Sequence, residues 1–240
     1  MSLTDKAMTR IRELIQSGEL LPGSRLPPEQ QLAAELGVGR NIMREAVRAL
    51  VAARVLDIRR GNGTFVTSLQ PRVLLDGIGR AVELLRGDTM LELTEVRRLF
   101  ESAATGLAAT RISRDQLAEV KGHLDAMRAA ADDVELLNQH DAAFHRAVVA
   151  ATGNETLSTV LDGISSRTLR ARVWRGLIDV DAAGRTLREH EAIYVALAAG
   201  DAIQAQAAAL MHITTTETWL RDHLAEDRQE PADPDDSDAP

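Results

Sequence analysis

Residues 26 to 66 read LPPEQQLAAELGVGRNIMREAVRALVAARVLDIRRGNGTFV, and the periodicity of this stretch decides the fold. Over 29–36 the apolar positions Leu32, Ala33 and Leu36 share one helix face, and Gly37-Val38-Gly39 ends that helix in a tight turn. A second helix over 40–53 turns Ile42 or Met43, Ala46, Val47 and Leu50 inward, which leaves Arg40, Asn41, Arg44 and Arg48 on the opposite face. Two β-prone runs follow at 55–59 and 64–67, and Arg60-Gly61-Asn62-Gly63 between them supplies the turn of a hairpin. Two short helices, a glycine turn and a basic hairpin make a winged helix-turn-helix. Arg40, Asn41, Arg44 and Arg48 are then expected in the major groove of double-stranded DNA, and Arg59, Arg60 and Gly61 along a phosphate backbone or minor groove.

Working outward, the charge is divided unevenly. Up to Gln70, ten Lys and Arg stand against seven Asp and Glu, so with −8 overall the remainder carries −11. A basic reading head thus precedes an acidic body that phosphates would repel. Part of that acidity lies in residues 226 to 240, with seven acids, one arginine and three prolines, a composition expected to be disordered. A length of 240 residues accommodates a head at 1–70, a second domain at 71–226 and a tail at 227–240. The chain has no cysteine, which excludes disulfides and thiolate metal sites. Its N-terminus is amphipathic and not signal-like, and no apolar run could cross a membrane, so a cytoplasmic protein is expected.

Beyond Gln70 the spacing of Leu, Val, Ile and Ala predicts seven helices, at 73–85, 91–111, 114–131, 134–151, 155–174, 182–199 and 201–226. Gly87-Asp88, Ser113, Asp132-Asp133, Gly153-Asn154 and Gly200-Asp201 punctuate them. The fold expected is mainly α: the winged head plus an all-helical antiparallel bundle. Within that bundle Asp141 and His145 lie four apart on a face shared with Leu137, Phe144 and Val148. His190 sits among Leu187, Ile193, Tyr194 and Leu197, and His212 among Ala208, Ala209, Thr216 and Trp219. A buried polar group without a partner costs roughly 1–3 kcal/mol, so all four need one. One divalent ion would satisfy them together, although each histidine taken alone reads more often as an ordinary satisfied core residue. His123, His140 and His223 are read as surface or structural residues.

The head resembles the DNA-binding domain of the GntR family of bacterial transcription regulators. The resemblance rests on Leu26-Pro27-Pro28-Glu29, Gly37-Val38, Arg40 to Ala46, and Gly61 to Val66. Gln30 departs from the family's usual arginine, and Gly39, Asn41 and Ile42 from its usual serine or threonine, so the operator sequence does not carry over. Residues 73 to 226 resemble the helical FCD effector domain of the FadR branch through EVRRLFE at 95–101, DAAFHRAVV at 141–149, TGN at 152–154 and EHEAIYVALAAGD at 189–201. The resemblance implies a divalent metal held by Asp141, His145, His190 and His212. Zinc is expected first, with nickel, manganese or iron as alternatives. Three neutral imidazoles and one carboxylate leave such a site at +1, attractive to a small carboxylate effector such as a hydroxy or sugar acid.

Arg97 resembles the family arginine that faces the pocket, and its plainer reading is a helix-surface salt bridge with Glu101. Arg167, Arg170, Arg172 and Arg175 form a further basic run, most of it read as solvated or at an interface. The resemblance implies a homodimeric repressor that leaves its operator when the effector binds, and no catalysis. Two other readings are a metal-dependent hydrolase, and a DNA-binding regulator whose metal is purely structural or is itself the signal.

Overall fold

The computed structural model describes residues 1–84, 89–179 and 181–227. Of Ser166, Arg167 and residues 225–227 only the backbone is described. The predicted turn at Gly87-Asp88, the tail from 228 onward and the Arg167 side chain therefore lie outside the described residues. The chain forms two compact units, Met1–Asp76 and Gly77 onward.

In the first unit, α1 (Leu3–Gln16), α2 (Glu29–Glu35) and α3 (Arg40–Ala52) precede a hairpin of β1 (Leu56–Arg59) and β2 (Gly63–Val66). Ser2 caps α1 in a reciprocal pair with Asp5, which satisfies two backbone donors at its start. The apolar stripes meet as spaced: Ile11, Leu32, Met43, Ala46, Val47, Leu50, Leu56 and Val66 form one core. Met43 takes the fully buried place in α3, whereas Ile42 is half-buried. The strands pair antiparallel in the register Leu56 to Val66 and Arg59 to Gly63. At the tip, Gly61 adopts φ +74°, a backbone region that favours glycine. A short helix, α4 (Pro71–Leu74), closes the unit, and Asp76 after it pairs with Arg54 at 3.4 Å. The helix expected over 73–85 is thus two pieces, broken where that ion pair holds Asp76.

The second unit, among the described residues, is built of α5 (Gly77–Leu84), α6 (Thr89–Ala109), α7 (Arg114–Ala129), α8 (Val134–Ala150), α9 (Glu155–Ile178), α10 (Ala182–Ala199) and α11 (Ala202–Asp227). Ser113, Asp133 and Asn154 cap α7, α8 and α9 with their side chains, and Gly200 ends α10 at φ +68°. These are the punctuation residues expected from the sequence. The helices form an antiparallel bundle around Val120, Leu124, Met127, Phe144, Val148, Ile193 and Leu197, each contributing about 1.5–3 kcal/mol by its burial. α9 runs one turn beyond Trp174, so Arg172 and Arg175 lie on the same helix face, three residues apart. No helix among the described residues is long and apolar enough to cross a membrane.

Alanine and glycine let neighbouring helices approach closely. At Gly106 on α6, a Cβ would stand 2.9 Å from the Ala202 carbonyl and 3.1 Å from Gln206 Cβ on α11; at Gly163 on α9 it would stand 3.0 Å from Ile78 Cγ2 on α5. Gly122 on α7 faces open space. A glycine-to-alanine change inside a helix gains up to about 1 kcal/mol from propensity, but a clash with fixed backbone costs roughly 1–3 kcal/mol. Gly106→Ala is therefore expected to lower the urea midpoint and Gly122→Ala to raise it. Equal midpoints for the two variants would show that α6 and α11 can part without cost.

Candidate metal centre and DNA interface

Asp141 and His145 come from successive turns of α8, His190 from α10 and His212 from α11, so three helices deliver four polar groups to one point. All four are buried, and one ligand atom from each lies within 4.8 Å of every other. His145 Nε2 faces His212 Nε2 at 3.2 Å, and Asp141 Oδ1 lies 2.9 Å from His190 Nε2 and 3.6 Å from His145 Nε2. Donors each about 2.1 Å from one shared ion sit roughly 3.0–3.5 Å apart; three of the separations here are 2.9–3.6 Å, and none exceeds 4.8 Å.

The outer nitrogens explain why the inner ones face the centre. The His190 Nδ1–H donates to the Thr186 carbonyl at 2.8 Å, which can only accept. The His145 Nδ1–H donates to Glu101 Oε1 at 2.6 Å, and the His212 Nδ1–H to Glu189 Oε2 at 2.8 Å. With the proton on Nδ1, each ring in its neutral form turns an Nε2 lone pair inward. Carboxylate or carbonyl partners behind ligating histidines fix their tautomer and strengthen their basicity. Burial, then the neighbouring imidazole charges, pushes His190 and His212 well below the usual histidine range, which keeps both rings neutral. His190 Nε2 has no hydrogen-bond partner despite its closeness to Asp141, because the contact lacks hydrogen-bond geometry. A buried acceptor without a donor, among converging lone pairs, fits a cation.

Burial alone would raise the Glu101 carboxyl, but the Arg97 guanidinium and then His145 hold it well below the usual carboxylate range. Arg97 is 2% exposed and grips Glu101 with two hydrogen bonds, at 2.8 and 3.1 Å. The surface salt bridge read from the sequence has the right partner but is buried. Arg97 reaches the centre only through Glu101.

The reading of Arg172 and Arg175 as solvated or interfacial is wrong. They are 6% and 4% exposed, because α9 turns both onto the stripe that already buries Leu161, Ile164 and Thr168. Arg172 pairs with Asp141 Oδ2, the oxygen turned away from the imidazoles. Burial, then the nearby Arg97 charge, pushes Arg172 down to about 9. Arg175 donates to Thr216 Oγ1 at 3.0 Å. Nε of each arginine is buried without a hydrogen-bond partner. Both arginines line a small cavity of about 30 Å³ together with Asp141, His212 and Thr216. Its far wall is formed by Val134, Leu137, Ala182 and Ala183. Arg170 is exposed. His123 and His140 face each other at 6.5 Å, and His223 stacks on Trp219; none of these three belongs to the cluster.

In the first unit, Arg40, Asn41, Arg44 and Arg48 are all exposed along one side of α3, opposite its core stripe. Arg44 meets Glu29 only at 3.9 Å, an exposed ion pair that leaves the guanidinium available. Arg60 and Gly61 stand exposed at the wing tip, while Arg59 lies over the Phe65 ring at 4.3 Å.

Residues 92–215 match the model of the FCD domain, and residues 3–66 match that of the bacterial regulatory proteins of the gntR family. The chain is 33% identical over 221 residues to the HTH-type transcriptional regulator LutR of Bacillus subtilis (strain 168), covering 90% of this chain and 100% of that one. It is 32% identical to the galactonate operon transcriptional repressor of Escherichia coli (strain K12), covering 92% and 98%. Among solved structures, Streptococcus agalactiae GntR aligns with a TM-score of 0.66 at 28% identity, covering 90% of this chain and 99% of that one.

Proposed function

Because the chain belongs to the GntR family of bacterial transcription regulators, with an FCD domain behind its DNA-binding head, we propose that it is a metal-containing repressor released from its operator by a small carboxylate. The observation that carries this reading is the inward convergence of three Nε2 atoms and Asp141 beside a cavity walled by two buried arginines. Asp141, His145, His190 and His212 hold a divalent ion, zinc first by the donor set. When bound, the ion offers a Lewis-acidic seat for one carboxylate of the effector. Arg172 and Arg175 supply donors for the rest of that molecule, and Arg97 acts behind Glu101 to fix His145. The relatives named for galactonate and for an L-lactate dehydrogenase operon support a carboxylate effector.

On the DNA side, Arg40, Asn41, Arg44 and Arg48 read the major groove, and Arg60 with the Gly61 backbone holds a phosphate. The protein acts as a homodimer on two half-sites. Exposed Leu99 and Phe100 on α6, with Leu210 and Met211 on the adjoining α11, offer an apolar face for the second copy. A hydrolytic role finds no support, since Glu101 and Glu189, the nearest carboxylates besides Asp141, are committed to His145 and His212.

Operator affinity measured by fluorescence anisotropy for apo, zinc-loaded and zinc-plus-carboxylate protein tests the reading. The coupling expected is about 1–3 kcal/mol, a several-fold to hundredfold weakening when zinc and carboxylate are both present. A response to zinc alone would favour a metal sensor, and identical affinity in all three states would remove regulation through this site.

A further inference from the structure

Around the candidate ion the ionised side chains already balance, those of Arg97, Glu101, Asp141, Arg172 and Arg175 buried and that of Arg185 39% exposed. Arg97 faces Glu101 and Arg172 faces Asp141. Arg175 and Arg185 share Asp179, and Glu189 lies against His212. Four guanidinium groups thus meet four carboxylates before any ion arrives, and a divalent cation adds two uncompensated positive charges. Uncompensated charge in a buried site is strongly unfavourable. A monocarboxylate would cancel half of it; a dianion would cancel it all.

The unmet hydrogen-bonding groups point the same way. Arg172 Nε and Arg175 Nε are buried donors without acceptors, and the Arg175 Nε to Asp179 approach of 3.7 Å is too long to be a hydrogen bond. Of the cavity's other polar groups, the Asn138 amide nitrogen donates to the Val134 carbonyl, and Thr216 accepts from Arg175. The cavity therefore has donors to give and few acceptors to offer. A polyhydroxylated acid would bury several hydroxyl donors against Val134, Leu137 and Ala182, whose apolar side chains cannot accept them.

We propose that the effector is a short dicarboxylate, one carboxylate seated at the metal ion and the other bridging Arg172 and Arg175. This inference rests on the metal and carboxylate reading above and narrows it. Carboxylate–guanidinium pairing is charge-assisted and directional, and Arg175 is its sole contributor that does not also touch a metal ligand.

The test is calorimetric titration of zinc-loaded, full-length protein with succinate, glutarate, butyrate and gluconate, with the emission of the adjoining Trp174 and Trp219 as a second readout. Succinate or glutarate is expected to bind at least about tenfold more tightly than butyrate, a difference of ~1.4 kcal/mol. In Arg175→Gln that preference should fall to within about threefold, while zinc content stays as in the parent. Arg175→Lys, which keeps a charge without the planar fork, should retain part of the preference. Butyrate or gluconate binding as tightly as either diacid, or a preference that survives in Arg175→Gln, overturns the inference and leaves the metal and carboxylate reading standing. Stoichiometric zinc with no response to any of the four acids overturns the effector reading and this inference together. Failure to retain zinc overturns the metal assignment itself.

Discussion

His190→Ala is expected to abolish stable metal binding, with affinity falling by more than about a hundredfold. Removing even an outer partner of a ligating histidine typically costs about 10–100-fold, and His190 is itself a candidate ligand whose Nε2 has no alternative use. The loss should also appear in stability. An ion that binds only the folded chain stabilises it by about 2.7 kcal/mol at a hundredfold excess over Kd, so zinc should raise the melting temperature of the parent and leave that of the variant unmoved. Elemental analysis after dialysis, with thermal unfolding in the presence and absence of zinc, reads both effects. His223→Ala is the control, since its ring stacks on Trp219 away from the cluster. A His190→Ala protein that keeps one ion per chain would sink the assignment.

The second large effect is expected at the reading head. Arg40→Ala and Arg44→Ala should each weaken operator binding while leaving helicity and melting temperature intact, because both side chains are exposed and outside the core. A bidentate base contact is worth about 1–3 kcal/mol. In a dimer each substitution occurs twice, so the expected loss is roughly 2–6 kcal/mol, or from about thirtyfold to beyond ten-thousandfold. Arg60→Ala should behave differently, weakening all DNA sequences alike and reducing the salt dependence by about one charge per head. Unchanged affinity for Arg44→Ala would place the recognition surface elsewhere.

The head was legible because its signals are local. Gly37 and Gly61 mark turns, and the spacing of Met43, Ala46, Val47 and Leu50 leaves no choice about which side of α3 holds the arginines. The metal candidates were legible for a related reason: each lies on an otherwise apolar stripe, where a polar side chain is conspicuous. Glu189 escaped notice, Glu101 was read only as a surface partner of Arg97, and Arg172 and Arg175 only as part of a basic run. Their partners are 23 to 44 positions away in sequence, as in Glu189 with His212 and Glu101 with His145, and spacing within one helix cannot reveal such pairs. A signal for the arginines did exist. Leu161, Ile164, Thr168, Arg172 and Arg175 follow one three-and-four stripe, but ending the helix at Trp174 left Arg175 off it. Likewise Thr94, Arg97 and Glu101 continue the stripe of Leu93, Ala104 and Ala108, which identifies them as buried.

The close seat of Gly163 against Ile78 has a mechanical consequence. Nine residues separate Gly163 from Arg172 along α9, about 14 Å at 1.5 Å per residue, so the helix is a stiff beam gripped at one end and loaded at the other. The gripped end bears on α5, the first element of the second unit. With so little clearance at that fulcrum, a tilt of the loaded end moves α5 instead of being absorbed as slack.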